Sequence, residues 1–431
     1  MKNKKETLLI LIILITISII IFNRDKLYEA KYIEPKDTLL AITINGEIST
    51  TFPTTNAYTG TVECTTGTGK VEWNGTKWVL TTSGITKGST KCNATFITKV
   101  PTFAETILAN NEVKTPITTP GAAISTASEA LLASTEDDYG TSYYFRGAVK
   151  NNYVQFANKC WRIVRVGGDG SVKLILHNDN TAGASNPCDV ANNSASAAFA
   201  RYSGTTYKSA FNSSYNDNAY VGFKYGTVGA STYEATHANT NNSTILTNLE
   251  TWYTNNLAAY ESVIDDNVWC NDKTNVTDTT FNLWNWSNVT GLGYGTNTTF
   301  YSATQRLVSK SGSAGGTSPS LKCTGELSKI NSKVGLITAD ELAFVGYAYG
   351  YELQNSTTYL QENVTDTFWW SLSPYYFDGS YASVWNVGGD IGLFSNSYVY
   401  STFGVRPLIS LKSTTNATGN GTSNSPFIIS M

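Results

Sequence analysis

Hydrophobic positions near the start of the chain form one unbroken run, Leu8 to Phe22, interrupted only by Thr16 and Ser18. Lys2, Lys4 and Lys5 precede it, and Asn23-Arg24-Asp25-Lys26 follows. Fifteen helical residues reach roughly 23 Å, slightly less than the ~30 Å hydrocarbon core, so length alone fits a short anchor or a signal-peptide core. The polar flank offers no small-x-small cleavage site, which favours an uncleaved anchor. The lysines would stay inside and the rest of the chain would be exported. The expectation is a cytoplasmic tail over 1–6, a transmembrane helix over 7–23, and a single-pass protein of the cell membrane with its bulk extracellular.

From Leu39 to Ile97 the pattern turns short and β-like. Ala41-Ile42-Thr43-Ile44 alternates and meets Asn45-Gly46, and Lys70-Val71-Glu72-Trp73 meets Asn74-Gly75 before Lys77-Trp78-Val79-Leu80. Asn-Gly between β-rich runs signals a two-residue hairpin, and Trp73 and Trp78 flank the second turn as a cross-strand pair. These runs predict a small antiparallel, immunoglobulin-like β-sandwich over 32–98. Pro101, Pro116 and Pro120 in a Thr-, Ser- and Ala-rich background then predict a linker over 99–136.

A large domain is expected over 137–431. Strands are read at Tyr143–Arg146, Tyr153–Phe156, Trp161–Val166 and Val172–Leu176, the last two joined by the turn Gly167-Gly168-Asp169-Gly170. Ile245, Leu249, Trp252, Tyr253 and Leu257 share one helical face. Thr338-Ala339-Asp340-Glu341 is a capping box for a second helix, after the strand Val334–Ile337. Strands return at Gly404–Leu411 and Pro426–Ile429. The expected class is α+β, with few helices and long ordered loops.

Charge narrows the partners. The net charge is −3 and only 15% of residues are charged, which excludes the concentrated basic surface that nucleic-acid binding needs. Six cysteines (Cys64, Cys92, Cys160, Cys188, Cys270 and Cys323) contain no C-x-x-C pair, so zinc and thioredoxin-type chemistry lack support. An even number outside the cell points to disulfides, most simply in sequential pairs, although six cysteines allow fifteen pairings.

The blocks Ser142-Tyr143-Tyr144-Phe145-Arg146-Gly147, Asn151-Asn152-Tyr153-Val154-Gln155-Phe156, Trp161–Arg165, Gly335-Leu336-Ile337-Thr338-Ala339-Asp340-Glu341, Trp369–Pro374 and Gly404–Leu411 resemble bacterial C-type-lectin-fold proteins. The likeness is to the branch related to formylglycine-generating enzymes, which includes many surface proteins of Firmicutes. Variable proteins of diversity-generating retroelements are similar. The resemblance implies a C-type-lectin-like domain over 137–431, with ligand presented from the C-terminal region. It does not carry the enzymes' chemistry across. No cysteine follows Cys323, and His177 and His237 are too few for a three-histidine iron site. The sugar-binding triplets of calcium-dependent lectins are also missing; Trp385-Asn386-Val387 and Glu34-Pro35-Lys36 lack the needed oxygen ligands. No metal, cofactor or catalytic residue is assigned. The carboxylate pairs Asp137/Asp138, Asp265/Asp266 and Asp340/Glu341 are adjacent in sequence and poorly placed to flank one bond.

One stretch stands apart. Trp369 to Phe403 holds eleven aromatics in 35 residues, set among Ser, Gly, Asn and Val, with no Lys or Arg between Glu362 and Arg406. Such a mixture gives large contact area at low entropy cost. Trp369, Trp370, Val384 and Val405 are expected in the core, and Arg406 is expected to brace the fold against Asp340 or Glu341. Tyr376, Phe377, Ser380, Tyr381, Ser383, Trp385, Phe394, Tyr398 and Tyr400 are expected to form an exposed ligand-binding surface. The functional expectation is a membrane-anchored, adhesin-like recognition protein for an extracellular protein or glycan. An enzyme with a non-standard site and a self-assembling envelope protein are the alternatives.

Overall fold

The computed structural model describes residues 39–124, 129–353 and 357–431. These fall into two compact units, divided between Val100 and Pro101. The expected transmembrane segment 7–23 lies outside the described residues, and among those described no helix is long and apolar enough to cross a membrane. The expectations of an anchor and of a single-pass membrane location are corrected accordingly.

In the first unit both Asn-Gly pairs lie in hairpin turns, Asn45-Gly46 as a two-residue loop and Asn74-Gly75 as the start of a four-residue connection from Asn74 to Lys77. Asn45 (φ 51°) and Gly46 (φ 86°) take left-handed conformations and close a hairpin between Leu39–Ile44 and Glu47–Ser49. The second hairpin joins Thr68–Trp73 to Trp78–Ser83 and places the Trp73 and Trp78 rings 6.0 Å apart, edge to face. It packs against a four-stranded sheet through Val71 and Leu80, which meet Ile42, Ala94 and Phe96. The Val71 side chain packs directly on the Gly60 backbone: a Cβ on Gly60 would lie 2.5 Å from it. The sheet is not wholly antiparallel, because Leu39–Ile44 and Lys91–Thr98, the first and last strands, pair in parallel. Cys64 and Cys92 face each other across two strands and are bonded.

The second unit is mostly strand, which corrects the α+β expectation. Its helices are short: Phe103–Asn110, Tyr233–Thr236, Thr244–Asn256, Ser302–Leu307 and Ala339–Val345. One sheet runs in the order Leu408–Leu411, Val172–Asn178, Lys159–Val166, Tyr153–Phe156, Phe427–Ile429, Ala417–Thr418; Gly140–Gly147 and Ala130–Asp137 attach beside Lys159–Val166. A second sheet runs Lys208–Ser209, Phe403–Gly404, Trp369–Phe377, Ala382–Val387, Phe394–Tyr398. Strands in the middle of these sheets are buried on both faces, so burial does not alternate along them, and their charged residues, such as Arg162 and Lys173, are held inside by carboxylates.

The stretch expected as a linker belongs to this unit. Thr102 and Glu105 form a capping box, and Phe103 and Ile107 enter the main core, with Phe103 5.3 Å from the Phe427 ring. Ala130–Asp137 pairs with Gly140–Gly147 along its whole length. The Thr- and Ser-rich background hides a few apolar residues that do the packing. The helical face read from the sequence is confirmed: Ile245, Leu249, Trp252, Tyr253 and Leu257 are all buried, behind a Ser243 cap. Cys160–Cys188 and Cys270–Cys323 complete the sequential disulfide pairing.

Removing the first unit's crosslink should act on that unit alone. The double substitution Cys64→Ala/Cys92→Ala is expected to cost it about 3–4 kcal/mol by loss of loop closure. Two-transition thermal unfolding checks this: the first unit's transition should fall while that of the second unit stays in place.

Candidate functional site

The second unit presents two places where unusual side chains converge. One is a cleft at the junction of the first sheet and the helix Ala339–Val345, rimmed by the Cys270–Cys323 bridge. Thr338 caps that helix, and the Glu341 carboxylate returns to the Thr338 N–H. Glu341 also accepts from Arg165 Nε at 3.0 Å and from Lys173 Nζ at 2.7 Å. Arg165 reaches Asp137 at 2.8 Å. Beside them Arg306 grips Asp340 with two bonds of 2.7 Å and Asp272 with one of 2.8 Å. Burial alone would raise the Glu341 pKa, but the Lys173 and Arg165 charges outweigh it and hold the carboxyl at about 2.

These cations are committed to carboxylates inside the fold, so the cleft is an internal brace. Arg406, which was expected to serve here, sits elsewhere. Asp340 and Glu341 are taken by Arg306, Arg165 and Lys173. The buried Arg406 donates to the Leu176 and Leu360 carbonyls and lies over the Trp369 ring at 5.1 Å. Burial without a carboxylate lowers it to about 10. The two histidines belong to separate interior networks. Desolvation holds His177 well below its usual value and His237 at about 3, and His237 Nε2 bonds the Gly293 carbonyl.

The second place is the aromatic tail, where the expected surface is largely overturned. Phe377, Ser383, Trp385 and Phe394 are sealed in the core, and Tyr376 is 8% exposed. Trp369–Phe377 and Ala382–Val387 are central strands covered on both faces, so their rings have no route to solvent. Trp369, Trp370, Val384 and Val405 are in the core as expected.

Ser380, Tyr381, Tyr398 and Tyr400 remain at the surface. The turn that carries Ser380 and Tyr381 is fixed by Asp378, whose Oδ1 accepts both their N–H groups, and by Gly379 at φ 97°. Tyr381 then packs against Tyr398 at 4.7 Å, Tyr398 stacks with Tyr400 at 5.9 Å, and Tyr215 closes the group by stacking on Tyr381 at 5.1 Å. Tyr215 is 38% exposed and Tyr400 42%. Tyr215 comes from a distant loop that the sequence did not single out; its carbonyl receives the Ala382 N–H.

The group continues through Tyr376. Burial, then the neighbouring Tyr398 and Asp378, push its hydroxyl well above the usual tyrosine value. Trp284 and Trp286 lie 5.2 and 5.1 Å from its ring, and Trp284 is 42% exposed. The only sequence signal for this pair was the Trp-x-Trp spacing in a polar loop. The result is a seven-ring strip whose members support one another and leave part of their surface in water. No family model matches the chain, and no curated protein or solved structure matches it.

Neutralising Glu341 should uncover the cost of the brace. Glu341→Gln leaves the buried Lys173 without its carboxylate and Arg165 with Asp137 alone, an expected loss of ~3–5 kcal/mol. In the parent protein the folded carboxyl titrates at about 2 against an ordinary 4.5. The unfolded chain therefore binds the proton first, and the stabilisation present at neutral pH drains away as pH falls from 4.5 towards 2. Denaturant titrations at stepped pH should show that slope in the parent and a flatter one in Glu341→Gln.

Proposed function

We propose that this chain is an exported, non-catalytic recognition protein that takes a protein or glycan ligand on the strip running from Trp284 to Tyr400, without Ca²⁺. The observation that carries this reading is the mutual packing of Tyr215, Tyr381, Tyr398 and Tyr400 at the surface. Rings held by one another lose little freedom when a ligand arrives, and aromatic side chains dominate binding hot spots. Export is supported by three disulfides that use all six cysteines. The same pairing leaves no thiol for chemistry of the formylglycine-generating kind. Membership of the C-type-lectin-like class is part of the proposal. It is supported by the convergence of the resembling blocks: Phe145, Trp161, Leu336, Trp369 and Leu408 all enter one core.

Replacing the half-buried Tyr381 and the exposed Tyr400 tests the reading. Tyr381→Ala/Tyr400→Ala is expected to weaken ligand capture by at least ~30-fold on a glycan array and a surface-protein panel. The melting temperature should move by no more than ~3 °C, because neither ring belongs to the main core. Undiminished capture by the double variant would remove the strip from the function.

A further inference from the structure

The strand Phe394–Tyr398 is an edge, and the hydrogen bonds around it show which backbone groups face outward. Its register against Ala382–Val387 pairs Trp385 with Asn396 and Ser383 with Tyr398. The Phe394 N–H donates outward to the Tyr351 carbonyl, and the Phe394 carbonyl accepts from the Gly350 N–H. In an antiparallel pair the direction alternates residue by residue, so Asn396 and Tyr398 face the same outer side, while Ser395 and Ser397 face the neighbouring strand. The Tyr398 carbonyl is taken by the Ser401 N–H. Among the described residues, the Asn396 N–H, the Asn396 carbonyl and the Tyr398 N–H have no protein partner.

Two other sheet margins in this unit are closed. Leu408–Leu411 is bridged by Gly335 and Ile264, and Lys208–Ser209 is two residues long and carries a lysine. Phe-Ser-Asn-Ser-Tyr has no charge, proline or bulge to discourage a new neighbour, which exported β-proteins commonly place on an open edge. One end of this edge is already met by backbone from elsewhere, where Tyr349, in the turn closed by the Tyr351 N–H on the Ala348 carbonyl, bridges Phe394 in parallel.

We propose that this edge receives an extended peptide segment of a partner protein, which continues the row begun at Tyr349 and adds a strand beside Asn396 and Tyr398. Backbone bonding would supply register, and the adjoining Tyr398 and Tyr400 rings would take alternate side chains of the added strand. This rests on the recognition reading above and narrows it to a protein ligand.

The test uses the full chain and a phage-displayed library of random twelve-residue peptides. Enriched sequences should place aromatic or apolar residues at alternate positions. A synthetic copy of the best should bind the parent and slow amide hydrogen exchange at Asn396 and Tyr398. Asn396→Pro removes the outward donor, a change that edge strands tolerate, together with the Oδ1 that accepts from Ser383 Oγ, which keeps the Ser397 carbonyl; it is expected to weaken that peptide at least ~10-fold with the fold intact by thermal unfolding. Should that variant not fold, the exchange measurement on the parent decides the matter. No enrichment, unchanged binding to Asn396→Pro, or exchange protection confined to other strands would overturn the proposal. Concentration-dependent dimerisation abolished by Asn396→Pro would assign the edge to a second copy and overturn it equally. A glycan ligand lost in Tyr381→Ala/Tyr400→Ala but kept in Asn396→Pro would leave recognition standing and remove the peptide.

Discussion

A single buried carboxylate organises the second unit. Glu341 is 3% exposed, caps its own helix and is shared by Arg165 and Lys173, which come from the two adjacent strands Lys159–Val166 and Val172–Asn178. An isolated charge at that depth would cost several kcal/mol, so the two strands, the helix and the cap must assemble together or leave it stranded. Asp340, its neighbour, binds Arg306 on the helix Ser302–Leu307. The second sheet joins through the same helix, where the Ala339 N–H donates to Ser373 Oγ at 2.9 Å on Trp369–Phe377. The aromatic strands are thus placed by an electrostatic junction a short distance away.

That placement explains how one stretch of sequence serves both interior and surface. A strand in the middle of a covered sheet has no outward face, and Trp369–Phe377 is buried at every position. Composition alone does not distinguish such a strand from a paratope, because tyrosine and serine suit both when hydroxyls find partners. Here several serines do: Ser383 Oγ bonds Asn396 Oδ1 and the Ser397 carbonyl, Ser371 Oγ accepts the Ser373 N–H, and Ser373 Oγ accepts the Ala339 N–H. Exposure begins where the chain turns, at Asp378-Gly379 and again at Asp390-Ile391, and along the last strand from Ser395 to Tyr398.

Local features were legible in the sequence for this reason: hairpin turns, the capping box at Thr338, the face of the helix Thr244–Asn256 and the nearest-neighbour cysteine pairs are set by residues close in the chain. Features set by distant partners were not. The segment around Phe103 reads as linker until Phe427 arrives to cover it. Arg406 reads as one half of an ion pair, yet the carboxylates proposed for it are held by Arg165, Lys173 and Arg306, and carbonyls with an indole face take their place. Tyr215 and the Trp284/Trp286 pair join the candidate site from loops more than sixty residues from each other and from the aromatic tail, and little in their local sequence announces that.

The surface that survives is small, and its economy argues for recognition. Exposed tyrosines scattered singly would need no explanation. Four that pack on one another, on a turn held by Asp378 and beside backbone left unpaired at Asn396, are different. Rigid rings and a straight strand edge both lower the entropy lost on association, and each alone is a hazard for aggregation. Natural edges are usually blunted by charge, and Lys208 marks the opposite margin of the same sheet. A chain that guards one margin and leaves the other neutral, aromatic and open is consistent with the added partner strand we propose.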